Sequence, residues 1–72
     1  MNEIEVVSID KLNEIIKIRE PRGLFLSREK RKGRVKGMFV AVDNLTGDAW
    51  TEEFKELEDA EDWLNRKIEE EE

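Results

Sequence analysis

Apolar positions along this chain follow two rhythms, one of three to four residues and one of two. In "SIDKLNEIIKIREPRG", residues 8–23, Ile9, Leu12, Ile15 and Ile16 recur at helical spacing, and Ser8 stands where an N-cap belongs. Pro21 biases Glu20 away from helical geometry and Gly23 follows, so the pattern predicts a helix from about Ile9 to Arg19. Leu12, Ile15 and Ile16 then face the core; a strand through "IIKI" is the competing reading. A second helix is predicted from about Leu57 to Ile68, with Leu57, Ala60, Trp63, Leu64 and Ile68 as its stripe. Its acids Glu58, Asp59, Glu61 and Asp62 come early and Arg66 and Lys67 late, in agreement with the helix dipole.

Between the helices, "GLFLSRE", "RVKGMFVAVDN" and "DAWTEEF" read as three strands joined by turns that contain glycine. If Leu45, Thr46 and Gly47 form a three-residue loop, Val42 lies opposite Trp50, Val40 opposite Glu52 and Met38 opposite Phe54. The same loop type at Arg31, Lys32 and Gly33 sets Leu26 opposite Met38 and Leu24 opposite Val40. Both turns then place Leu24, Leu26, Met38, Val40, Val42, Trp50 and Phe54 on one face. The expected fold is α+β: a three-stranded antiparallel meander with two helices on one face, in the order α-β-β-β-α. The opening "EIEVV" admits one more short strand. No linker or repeat divides the chain, so residues 1–68 are expected to form a single domain, with the acidic run 69–72 as a frayed tail.

Composition narrows the chemistry. At 72 residues, 38% hydrophobic and 44% charged, the chain has few side chains from which to build a core. Cysteine, histidine and tyrosine are all absent, so there is no disulfide framework, no zinc-thiolate site and no histidine base for the serines and threonines. No cofactor and no enzyme activity are expected. No apolar run approaches the roughly 18 residues of a membrane span, and Met1 to Ile9 lacks a signal-peptide pattern, so a cytoplasmic chain without membrane association is expected.

The net charge of −6 is unevenly spread. Residues 17–36 carry nine Lys/Arg and two acids, whereas residues 37–72 carry three Lys/Arg and thirteen acids. The middle of the chain is basic and its end acidic.

"GLFLSREK", "FVAVDNLTGDAWTEEF" and "LEDAEDWLN" resemble a group of short uncharacterised proteins encoded in prophages and genomes of Gram-positive Firmicutes. The likeness covers about residues 20–65 and is strongest at Gly47, Asp48, Ala49, Trp50 and Phe54. It implies a small accessory protein, phage-related, with no catalytic residue to carry over. The basic "KRKGR" is longer than the turn of that group. The α-β-β-β-α order also resembles the double-stranded-RNA-binding domain, but "ELEDAED" at its second helix has the wrong sign for a polyanion and excludes that family.

Two surfaces are candidates for binding. The expected register places Phe25 opposite Phe39, beside Val35 and Ala41, on the sheet face away from the helices, where they would bind a protein or a second copy in a homodimer. Arg28, Lys30, Arg31, Lys32, Arg34 and Lys36 form a basic hairpin tip that would contact nucleic acid as the alternative function; a solvated, edge-protecting hairpin explains the same charges. Asp43, Asn44 and Asp48 carry hard oxygens, but their spacing is not that of an EF-hand and turn chemistry accounts for them. Trp50 and Trp63 are expected as core anchors. The leading expectation is a non-enzymatic interaction module acting through Phe25 and Phe39.

Overall fold

The computed structural model describes residues 3–29 and 38–71. Its elements are β1 (Ile4–Val6), α1 (Ile9–Ile18), β2 (Leu24–Leu26), β3 (Phe39–Asp43), β4 (Trp50–Phe54) and α2 (Leu57–Glu71). The α+β class, the two helices and the antiparallel succession β2-β3-β4 are present as expected. The first strand is also real, and it pairs parallel to β2, which makes a mixed four-stranded sheet in the order β1-β2-β3-β4. Among the described residues no helix is long and apolar enough to cross a membrane.

Helix α1 forms where its spacing places it. The Ser8 hydroxyl accepts the Lys11 N–H at 3.1 Å, and Arg19, in the left-handed region at φ 59°, ends the helix by donating its N–H to the Ile15 carbonyl at 2.7 Å. Helix α2 continues three residues beyond Ile68, to Glu71.

The expectation of two helices on one face is corrected. Leu12 and Ile15 of α1 pack with Phe25, Val40 and Val42, whereas Ala60 and Leu64 of α2 pack with Leu24, Leu26 and Ala41. Neighbouring residues of a strand point to opposite faces. The two helices therefore cover opposite faces, and β2 and the middle of β3 are buried on both.

The cause lies in the register. Leu24 pairs with Asp43, three positions on from the expected Val40, and Val42 pairs with Thr51, one position on from the expected Trp50. Each shift is odd, and an odd shift exchanges the faces of one strand relative to its neighbour. Trp50, Glu52 and Phe54 thus share a face with Phe39, Ala41 and Asp43 rather than with Val40 and Val42. The β3–β4 turn differs from the expected loop because its last strand pair is Asp43 with Trp50, leaving residues 44–49 as the connection, with both Gly47 (φ 85°) and Ala49 (φ 50°) in the left-handed region. The expected Arg31–Gly33 turn lies outside the described residues.

Candidate functional site

The expected sheet-face site does not assemble. Phe25 is 2% exposed and pairs with Val42 beneath α1, and Ala41 is buried toward α2. Phe39 is half-buried, pairs with Phe54, and points to the face opposite Phe25. Val35 lies outside the described residues. With a helix on each face of the sheet, Phe25 is buried under α1 and Phe39 stands on the opposite face, so the two rings do not form one surface.

Of the basic hairpin residues, Arg28 is exposed, while Lys30, Arg31, Lys32, Arg34 and Lys36 lie outside the described residues. The stretch that leads into them has a defined local structure. The buried Ser27 hydroxyl accepts the Glu29 N–H at 3.1 Å, and the Glu29 carboxylate accepts the Ile9 N–H at 3.2 Å. Glu29 thereby serves the first turn of α1, where exposed N–H groups and the positive end of the helix dipole favour an anion. The sequence pattern of the charged run held no sign of this contact, because it joins residues 20 positions apart.

At the other end of the sheet, the residues that supply the turn also stitch it to the loop before β2. Asn44 is fully buried. Its Nδ2 donates to the Pro21 carbonyl at 2.9 Å and its Oδ1 accepts the Ala49 N–H at 3.0 Å. Its backbone N–H donates to the Gly23 carbonyl at 2.8 Å, and its carbonyl accepts N–H groups from Gly23 and Gly47, each at 3.3 Å. Such satisfaction removes the penalty for burying a polar side chain. Asp43 accepts the Leu45 N–H at 3.1 Å and Asp48 accepts the Thr46 hydroxyl at 2.8 Å, so both carboxylates are engaged in turn geometry.

Trp50, expected in the core, is 64% exposed. It begins β4, an outer strand whose Thr51 and Glu52 are also exposed. Residues 50–62 contain seven acids (Glu52, Glu53, Glu56, Glu58, Asp59, Glu61, Asp62) and one lysine, Lys55, a charge of −6 from 1 − 7. Trp63 does anchor α2: its ring lies 6.0 Å from that of Phe54, and Lys67 Nζ sits 5.2 Å from its centroid. The outer strand therefore combines an exposed indole, an acidic surround and backbone groups facing away from the sheet. No family model, curated protein or solved structure matches the chain.

Proposed function

We propose that this chain is a small non-enzymatic interaction module, a phage-related accessory protein, that takes an extended segment of a protein partner along β4. The observation that carries this reading is the 64% exposure of Trp50 on an outer strand. An added strand gains main-chain hydrogen bonds from the edge, and a large amphipathic ring gives it an anchor. Seven acids within residues 50–62 favour a segment bearing lysine or arginine. Self-pairing of two β4 strands about Glu52 would set Glu52 against its own copy, which like-charge repulsion disfavours. A different protein is therefore the better partner. The absence of histidine and cysteine supports binding over catalysis.

Selection of random peptides on the immobilised protein tests this reading. The expected winners carry basic residues at alternate positions and lose at least about tenfold in affinity to Trp50→Ser, as for an aromatic hot spot. Selected peptides that bind Trp50→Ser and Thr51→Pro as well as the parent would sink it.

Nucleic-acid binding through Arg28, Lys30, Arg31, Lys32, Arg34 and Lys36 is a second reading, supported by one observation. Glu29, the only acid in residues 27–36, is engaged at the start of α1. Binding of this kind weakens by about 0.9 log units per phosphate contacted on a duplex for each tenfold rise in salt. Retention unchanged after Lys30, Arg31, Lys32 and Arg34 become Ser would exclude it.

A further inference from the structure

Where α1 ends, the chain leaves the helix through Arg19 and reaches β2 by way of Glu20, Pro21 and Arg22. This loop, the flank of α1 and the 44–49 turn enclose an open groove of about 680 Å³. Three cations line it, Lys11, Arg19 and Arg22, against one acid, Glu20. A lining charge of +2 (3 − 1) on a molecule of −6 is a local reversal of sign. Among the described residues neither Arg19 nor Arg22 takes part in an ion pair, and Lys11 makes only an exposed contact to Glu14 at 3.4 Å.

The placement of Arg22 is specific. A Cβ at Gly47 would lie 3.3 Å from Arg22 Nη2 and 3.5 Å from Nε, so the guanidinium rests on the one turn residue without a side chain. Gly47 at φ 85° belongs to the turn that Asn44 fastens to Pro21 and Gly23. The surface beneath the guanidinium is thus held by hydrogen bonds rather than by mobile side chains. The groove has an apolar wall as well: Ile18 is 52% exposed, and Pro21 stands in the same lining.

We propose that this groove binds a small phosphate monoester, its phosphate held by Arg19, Arg22 and Lys11 and its carbon portion resting on Ile18 and Pro21. Guanidinium groups match phosphate oxygens with paired hydrogen bonds, and two arginines with a lysine suit a dianion better than a single carboxylate. The apolar wall separates an ester from free phosphate, because only the ester has a body to cover Ile18. This site is independent of the partner surface on β4.

Titration of the isotopically labelled protein with phenyl phosphate, inorganic phosphate and phenol, followed by amide chemical shifts, tests the proposal. Phenyl phosphate is expected to give saturable shifts at Ile18, Arg19, Arg22 and Gly47 and to bind more tightly than inorganic phosphate, while phenol alone gives none. Arg19→Gln with Arg22→Gln should weaken phenyl phosphate by at least about tenfold, the scale of losing charge-assisted hydrogen bonds. Ile18→Ser, at an exposed position, should remove the advantage of the ester over free phosphate and leave the latter unchanged. An unchanged affinity in the double arginine variant, shifts centred on Arg28 instead of the groove, or no saturable response would overturn the proposal.

Discussion

On one face of the sheet α1 sets Leu12 and Ile15 against Phe25, Val40 and Val42; on the other, α2 sets Ala60 and Leu64 against Leu24, Leu26 and Ala41. The ten-residue α1 is secured at both ends, by Ser8 and Glu29 at its start and by the Arg19 N–H at its finish. The fifteen-residue α2 relies instead on a longer stripe, in which Leu57, Trp63 and Ile68 extend the contact beyond its buried pair. Alanines at 41 and 60, both fully buried, leave little bulk between α2 and the centre of the sheet. A short helix can thus be held by its termini and its covalent position between parallel strands, whereas a helix following the last strand needs area.

The largest effects should come from the buried leucines. Leu12→Ala and Leu64→Ala are each expected to cost about 2–5 kcal/mol in denaturant unfolding, since each deletes a fully buried side chain. A large loss for one and a negligible loss for the other would show that only one face stabilises the domain. Ala60→Leu comes next, at about 1–3 kcal/mol, because added bulk must force α2 away from the sheet. If it leaves the unfolding midpoint unchanged, α2 is not closely seated. The smallest effect is expected at the end of α1: Glu29→Gln should cost about 0.3–1 kcal/mol, with the difference shrinking as salt is added. Equal losses at low and high ionic strength would show that Glu29 acts through packing rather than charge.

Much of this arrangement was legible in the order of residues. Ser8, the Leu12–Ile15–Ile16 spacing and the Pro21–Gly23 pair predicted α1, and the stripe from Leu57 to Ile68 predicted α2, because caps and helical periodicity are local signals. The strands were legible in position but not in register. Register across a turn depends on how many residues the connection consumes, and the 44–49 connection is held in part by bonds from Asn44 to Pro21 and Gly23, far away in sequence. One sign of the true arrangement was nevertheless present. "LFL" and "MFVAV" are continuous apolar runs rather than alternating ones, as befits strands covered on both sides. An even distribution of apolar residues between two faces brings Phe25 inside and leaves Trp50, on an outer strand, exposed. The groove was less legible still, since Arg22 and Gly47 meet only through the stitched turn.

The Asn44 contacts also bear on the order in which the molecule assembles. The bond from its side chain to Pro21 spans 23 residues, and the backbone bonds to Gly23 need β2 already beside β3. Closing so long a segment costs chain entropy before any contact repays it. The 44–49 turn is thus fastened twice, within itself by the Ala49 and Gly47 N–H groups on Asn44 and to the loop before β2 through Pro21 and Gly23, and the second set of bonds exists only when β2 lies beside β3.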